Sequence, residues 1–208
     1  MAKKSGPKGV LRVVLLILVA GVLWWIDYKK EADSGKPPSG TYETFNGCRW
    51  IDHRQNDGDS FRVKLPDGRV EQFRLYYVDA PESDFRTYGG GRSNHKRIHE
   101  QAMEFGITDA EAVKIGKKGK ELVHDLLSKG TFTIYTVWDD PFGDHRYHAF
   151  VAPSSGPMIH ELLVRKGLVR IHTKSADLPD GTSMREWSRE LKRIENEAKR
   201  DRQGGWGL

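Results

Sequence analysis

The sequence predicts an α+β fold in which short strands close a small barrel and helices pack around it. Residues 60–65 and 70–78 alternate between apolar and polar side chains on either side of a Pro-Asp-Gly turn, which predicts a hairpin. Two further alternating segments follow at residues 131–138 and 146–152. Between and after these strands, three segments carry apolar residues at helical spacing, and no internal repeat is present.

The length and charge of the chain limit its organisation. At 208 residues it is long enough for one domain with its own core and too short for two large ones. The net charge of +5 favours polyanions, but four basic residues precede the first acid: Lys3, Lys4, Lys8 and Arg12. Taking these four from +5 leaves +1 for the remainder, so attraction to nucleic acid must come from local patches. The single cysteine, Cys48, excludes an internal disulfide.

Residues 1–26 predict a signal-anchor or transmembrane segment. The stretch from Val10 to Ile26 is apolar apart from Arg12, and basic residues lie on its N-terminal side. No A-x-A cleavage pattern follows it, and Trp24 and Trp25 suit a headgroup interface. A cleaved signal peptide and a buried core helix are the alternatives. The positive-inside rule then places the body of the protein outside the cytoplasm, membrane-anchored or, after cleavage, secreted.

The composition changes after this segment. Residues 27–42 are rich in Lys, Gly, Pro and Ser and predict a linker, which leaves residues 43–208 for the folded domain. Inside that domain, residues 84–107 contain three consecutive glycines and little apolar periodicity. They predict a long loop or insertion.

Three helices are predicted after this loop. Thr108 and Glu111 form a capping box at the start of the first. Residues 157–166 predict a short second helix, and Ser183 with Glu186 form a second capping box at the start of the third.

Two acids stand at the open end of the predicted hairpin. Asp59 continues the core-facing phase of the first strand, and Asp79 continues that of the second. With the turn centred on Asp67-Gly68, Asp59 is expected to pair near residue 76 or 77, so the two carboxylates meet. They repel one another unless a positive group lies between them, and a hard cation with oxygen ligands satisfies both. The alternative is that each acid is simply solvated at a strand end.

Four segments, in this order and at these spacings, resemble the staphylococcal nuclease (thermonuclease) family: DGDSFRVKL, FRLYYVDAPES, HRYHAFV and HELLVRKGL. The resemblance covers residues 45–208 apart from 84–107. It implies an OB-type five-stranded barrel with three helices, here preceded by the N-terminal anchor. It also implies a calcium-dependent phosphodiesterase that acts on DNA and RNA and leaves 3′-phosphate ends. The expected partners are nucleic acid and, through the N-terminal helix, a membrane; the protein is expected to be monomeric.

The resemblance also implies a metal site. Asp59 and Asp79 correspond to the calcium-binding carboxylates of the family, and the backbone carbonyl of Ala80 corresponds to a further ligand. Ca²⁺ is therefore the expected cofactor.

The catalytic roles follow in the same way. Glu82 corresponds to the residue usually taken as general base or as the group that orients the attacking water. Arg74 and Arg146 correspond to the two phosphate-binding arginines. The tyrosines that stack on substrate in well-known members align with Thr173 and Ser175, which puts base recognition in question.

The segment at residues 84–107 has two interpretations. It supplies replacement contacts to the substrate, or it is a solvated loop. The side chains that favour the first interpretation combine basic and aromatic character: Arg86, Tyr88, Arg92, Lys96 and Arg97.

Two other functions remain open at this stage. One is a noncatalytic OB-type module that binds nucleic acid or protein at the membrane surface. The other is a phosphodiesterase whose substrate is not a nucleic acid. The presence of all the catalytic side chains named above favours the nuclease.

Overall fold

The structure of the protein is a computed structural model that describes residues 41–141 and 143–208. The predicted anchor at residues 1–26 lies outside the described residues, as does the predicted linker up to residue 40. Within the described part, no helix combines the length and apolar character needed to cross a membrane. Seven strands and four α-helices occur there, in this order: β1 Glu43–Trp50, β2 Ser60–Lys64, β3 Val70–Leu75, β4 Val78–Asp79, α1 His95–Phe105, α2 Asp109–Leu127, β5 Phe132–Thr136, β6 Arg146–Ala152, α3 Ile159–Arg165, β7 Arg170–Ile171 and α4 Met184–Arg200.

Five strands close a barrel in the order β1-β2-β3-β6-β5. The β3–β6 pair is parallel, and the other neighbouring pairs are antiparallel. Side chains that alternate inward fill the interior and are fully buried: Phe61, Val63, Phe73, Ile134 and Phe150. The predicted α+β class and closed five-stranded barrel are therefore confirmed.

Strand β1 was not recognised in the sequence because its pattern is interrupted. Phe45 and Cys48 both point inward although they are three residues apart. The register with β5 shifts between them, and Gly47 lies at the irregularity with φ +82°. Such a bulge adds one residue to the strand and breaks the period of two on which strand prediction depends.

The predicted β2–β3 hairpin forms, with its turn centred on Asp67 rather than between Asp67 and Gly68. The Leu65 N–H donates to the Arg69 carbonyl at 2.8 Å, and Gly68 adopts φ +93° inside a three-residue connection. Asp59 consequently lies opposite Leu75, whose N–H donates to its carbonyl at 2.8 Å. The pairing is shifted by one to two residues from the expected position, and Asp59 still reaches the end of the barrel.

The number of helices is four rather than the predicted three. Helix α1 lies within residues 84–107, where a loop was expected, and packs against α2 through a small apolar cluster of its own. Its buried positions recur three and four residues apart: Ile98, Gln101, Ala102 and Phe105. Gln101 is a polar residue on the buried face, where hydrogen bonds satisfy its side chain. The apolar residues of this face were therefore too few to indicate a helix.

Helix α2 begins at the predicted capping box, in which the Thr108 hydroxyl accepts from the Glu111 N–H. It then packs directly against the backbone of the segment after β4, which is possible because Gly116 has no side chain. A Cβ at position 116 would lie 2.3 Å from the carbonyl oxygen of Pro81 and 2.5 Å from that of Glu82. The helix thus fixes the backbone at Glu82.

Replacement of Gly116 by Ala is expected to lower the free energy of unfolding by about 1–3 kcal/mol, since the added methyl overlaps backbone atoms that cannot rotate away. Gly119 provides a matched control, because the nearest atom to a Cβ there lies at 3.7 Å. Ala at 119 fits and gains up to about 1 kcal/mol of helix propensity. Urea denaturation measures both changes, and equal effects at the two positions would contradict the close approach at Gly116.

Candidate functional site

A cleft of about 490 Å³ opens at the end of the barrel where β2, β3 and β6 meet. We call it the central cleft. Four of the predicted site residues line it: Asp59, Arg74, Glu82 and Arg146. Five further charged residues also line it: Asp57, Arg62, Arg86, Arg97 and Asp144.

The two predicted metal-binding carboxylates lie together. Asp59 Oδ2 accepts from Arg74 Nη2 at 3.2 Å, and Asp79 Oδ1 accepts from the same nitrogen at 2.9 Å. All three residues are buried. The positive partner that two neighbouring carboxylates require is here the Arg74 guanidinium.

Asp79 reaches this position by leaving the barrel, not by strand alternation. Tyr77 adopts φ +71° after the end of β3, and the chain then pairs with β7, where Asp79 lies opposite Arg170. Backbone hydrogen bonds hold the turn: the Tyr77 N–H donates to the Lys174 carbonyl, and the His172 N–H donates to the Tyr77 carbonyl, both at 2.9 Å. A left-handed backbone at a bulky residue is uncommon and needs this tertiary support.

Four side chains donate to the Asp79 carboxylate. Arg74 and Arg97 bond to Oδ1, the latter at 2.7 Å, while Gln101 and Arg170 bond to Oδ2, each at 2.9 Å. Burial alone would raise the pKa of Asp79, but the positive charge of Arg97, followed by the Gln101 hydrogen bond, holds this pKa below its usual range. Asp79 is therefore an ionised anchor for groups from β3, β7 and α1.

Helix α1 holds the predicted general base. Asn94 Nδ2 donates to Glu82 Oε2 at 3.2 Å, and Arg97 Nε lies 3.2 Å from Glu82 Oε1. Gln101 accepts from the Glu82 N–H at 3.0 Å and donates to the Ala80 carbonyl at 2.9 Å. Sequence reasoning did not assign Asn94 or Gln101 to the site. Arg97 and Gln101 lie four residues apart on one face of α1, and Asn94 immediately precedes the helix; this spacing was the available signal.

Arg170 is another functional residue that the sequence did not reveal. Its guanidinium bonds Asp79 through Nε and Glu104 through Nη1, each at 2.9 Å. It lies in the two-residue strand β7, so only the tertiary pairing with β4 brings it to the site.

Arg146 lies at the start of β6 and reaches the central cleft beside Arg74. The parallel β3–β6 register places Arg146 opposite Gln72, two residues before Arg74. Asp144 orients the Arg146 guanidinium, with Nε to Oδ2 at 2.8 Å. The structure thus brings the two predicted phosphate-binding arginines to the same cleft.

Acids that line the central cleft repel one another and shift the pKa of Asp57. Burial, followed by repulsion from Asp59 and Glu82, raises the pKa of Asp57 to about 7. Burial also raises the pKa of Asp59, against the opposing charge of Arg74. Asp57 was not among the predicted site residues, because an Asp-Gly pair is common in ordinary turns.

These residues fit a hard cation in charge and donor type. Carboxylate oxygens of Asp57, Asp59 and Glu82 line one cleft, and oxygen ligands are those that Ca²⁺ prefers. Among the described residues, both hydrogen bonds to the Asp59 carboxylate fall on Oδ2, which leaves Oδ1 for a ligand. Asp79 instead bonds to arginines. No group of three or more His, Cys, Asp or Glu side chains forms a ready metal cluster in the described part of the chain.

Comparison with known proteins identifies one family. The family model described as Staphylococcal nuclease homologue matches residues 72–207. The matched range contains Arg74, Asp79, Glu82 and Arg146, whereas Asp59 precedes it. A search of the curated proteins finds no match to this chain.

Replacement of Asp57 by Asn is expected to stabilise the chelator-treated protein, increasingly so as pH rises. The amide keeps the acceptor for the Gly58 N–H at 3.0 Å and removes the charge. Because the pKa of Asp57 is raised from 3.8 to about 7, ionisation opposes folding above pH 3.8, and this cost is complete above pH 7. The advantage of the variant in free energy of unfolding should grow from about 1–2 kcal/mol at pH 5 to about 4 kcal/mol at pH 8.

Urea denaturation at the two pH values measures this difference. Asp67, an exposed residue of the β2–β3 turn that pairs with Arg69, provides the control, since its replacement by Asn should have the same effect at both pH values. A stability difference for the Asp57 variant that does not grow with pH would contradict the assignment.

Proposed function

The chain belongs to the family of staphylococcal nuclease homologues, and from this premise we propose that it is a calcium-dependent nuclease that hydrolyses phosphodiester bonds of DNA, RNA or both to 3′-phosphate products. One observation carries the proposal. Asp59, Glu82, Arg74 and Arg146 all line the central cleft, although they come from separate elements of the chain. Metal-assisted phosphodiester hydrolysis requires a carboxylate that binds the cation, a general base, and positively charged groups such as guanidiniums that bind the phosphate.

The two arginines stabilise charge that develops on the phosphoryl oxygens. A guanidinium matches two phosphate oxygens at once, which the point charge of lysine does not. Both groups are oriented before substrate arrives, Arg74 by Asp59 and Asp79 and Arg146 by Asp144. Donors fixed in advance favour the transition state because little reorganisation remains to be done.

Glu82 serves as the general base or orients the attacking water. Asn94 and Arg97 each hold one of its carboxylate oxygens, so its orientation is fixed from α1. The contact with Gly116 fixes its backbone. A carboxylate held in this way takes a proton from a water molecule beside it as the water attacks the phosphorus. The P–O5′ bond then breaks, and the 5′-oxygen leaves as a hydroxyl with a proton taken up from solvent.

Asp59 would hold the calcium ion, with Asp79 and the Ala80 carbonyl as the further ligands. Bound Ca²⁺ would supply positive charge at the phosphoryl oxygens and lower the pKa of the attacking water. Arg74 is the cation that Asp59 and Asp79 share in this structure. A cation held by Asp59 would take over part of this neutralisation and leave the Arg74 guanidinium available to a substrate phosphate.

We further propose that the domain acts outside the cytoplasm as a monomer, tethered by residues 1–26 or secreted after their cleavage. The support is the sequence alone, with basic residues before an apolar stretch and tryptophans at its end. The weak calcium affinity expected of few carboxylate ligands, about 10⁻⁴–10⁻³ M, suits calcium concentrations outside the cytoplasm.

Replacement of Glu82 by Gln or of Arg74 by Lys is expected to lower kcat about 10²–10³-fold, the usual cost of losing one transition-state group. The measurement is hydrolysis of single-stranded DNA with calcium and with chelator, together with end-group analysis of the products. Glu190→Gln and Arg165→Lys are matched controls at exposed ion pairs and should leave kcat unchanged.

Three results would contradict this mechanism. Activity that survives both chelation and Glu82→Gln would show that the reaction needs neither calcium nor this base. Binding of an oligonucleotide without turnover in saturating calcium indicates the noncatalytic OB-type module. Hydrolysis of small phosphodiesters without hydrolysis of DNA or RNA indicates a different substrate class.

A further inference from the structure

A second and larger cleft, of about 970 Å³, adjoins the central cleft. We call it the lateral groove. It lies between the segment that precedes α1 and the exposed face of α2, and these residues line it: Arg54, Phe85, Arg86, Tyr88, Lys117 and Lys120. Gln55, Arg86 and Tyr88 line both clefts. The two clefts therefore adjoin at these side chains, so a chain long enough to pass them contacts both.

The lateral groove is strongly basic. Arg54, Arg86, Lys117 and Lys120 face it against a single acid, Asp84, and none of the four forms an ion pair with another described residue. On α4, by contrast, exposed basic side chains pair with glutamates: Lys192, Arg193 and Lys199. The charge of the lateral groove is thus left available for an external anion.

Two aromatic rings stand among these basic groups. Phe85 and Tyr88 are 44% and 47% exposed, an unusual degree of exposure for large apolar side chains. His95 packs edge-on against the Phe85 ring at 5.4 Å, which orients it. The Tyr88 N–H donates to the Arg92 carbonyl at 2.7 Å, which closes the turn that carries this tyrosine. The rings are therefore presented on an ordered segment.

We propose that the lateral groove binds the single-stranded nucleic acid that flanks the scissile phosphate. Arg54 and Lys117 contact backbone phosphates, and bases stack on Phe85 and Tyr88. Exposed aromatics beside cations are the chemistry that binds single strands, and a duplex keeps its base faces stacked inside and unavailable. The inference rests on the proposed function for the choice of nucleic acid as substrate. The chemistry of the lateral groove indicates that the bound nucleic acid is single-stranded and where it lies.

The test compares two double variants with equal loss of charge. Arg54→Gln/Lys117→Gln alters the lateral groove and leaves the lining of the central cleft intact, while Lys114→Gln/Lys118→Gln alters exposed lysines on the same helix outside both clefts. The probes are a single-stranded DNA of about 20 nucleotides, longer than many OB-type sites, and a dinucleotide. Fluorescence anisotropy gives the Kd of the longer strand in calcium, measured with proteins that also carry Glu82→Gln so that the strand is not cleaved. Steady-state kinetics on proteins that retain Glu82 gives KM and kcat.

The groove variant should bind the longer strand about tenfold more weakly, with KM raised to match and kcat unchanged. The slope of log K against log salt should fall by about 1.4, the value for two phosphate contacts on a single strand. Hydrolysis of the dinucleotide should not change. The control variant should match the wild type in every measurement.

Phe85→Ala tests the stacking separately. It should weaken binding of the longer strand about tenfold, the order expected for one stacked base, and leave binding of an equally long strand without bases unchanged. Equal weakening for both strands would indicate a general polyanion site, such as one for an acidic protein, and would overturn the inference.

The outcomes separate the two proposals. If the wild type hydrolyses both substrates and the groove and control variants have equal Kd and KM, the inference is overturned and the proposed function stands. If the wild type binds the longer strand but hydrolyses neither substrate, and the groove variant binds the strand more weakly, the strand site in the lateral groove is supported and the proposed function is overturned.

Discussion

The buried Asp79 carboxylate is the interaction on which the rest of the site depends. It accepts from Arg74 in the barrel, from Arg170 in β7, and from Arg97 and Gln101 in α1. A buried charge is costly unless it is paired and hydrogen-bonded, so each donor offsets the cost of burying Asp79. Removing one donor leaves the buried carboxylate less fully compensated, and three of its donors, Arg74, Gln101 and Arg170, are themselves buried. The network therefore sets the relative positions of three elements around one carboxylate.

The two sides of the site have opposite electrostatic character. Asp79 is surrounded by donors and its pKa is lowered, whereas Asp57, on the central cleft, has a pKa raised to about 7 by burial and by its acidic neighbours. Asp59 lies between them and shares Arg74 with Asp79. Positive charge added from solvent is thus stabilised on the side of Asp57 and Asp59. This asymmetry would let one small site hold the proposed cation and an anionic phosphate next to several arginines.

Local sequence patterns were sufficient for the features that depend on neighbours in the chain. The hairpin alternation and the capping box at Thr108 predicted elements that the structure contains. The features that were missed depend on tertiary contacts. Gly47 breaks the period of β1, the buried polar Gln101 conceals the inner face of α1, and the left-handed Tyr77 redirects Asp79. Arg170 becomes part of the site only through the pairing of two-residue strands, which no periodicity can indicate.

The segment between β4 and α1 connects the lateral groove with the proposed base. Asn94 accepts from the Arg86 N–H at 2.8 Å and donates to Glu82 Oε2 at 3.2 Å. One amide side chain therefore holds both the groove-lining segment and Glu82. If a strand occupies the lateral groove as proposed, its contacts at Arg86 and Tyr88 bear on the same residue that orients Glu82. Contacts at Arg86 and Tyr88, unlike those at Arg54 and Lys117, then restrict the motion of the base, so they raise kcat as well as lower KM.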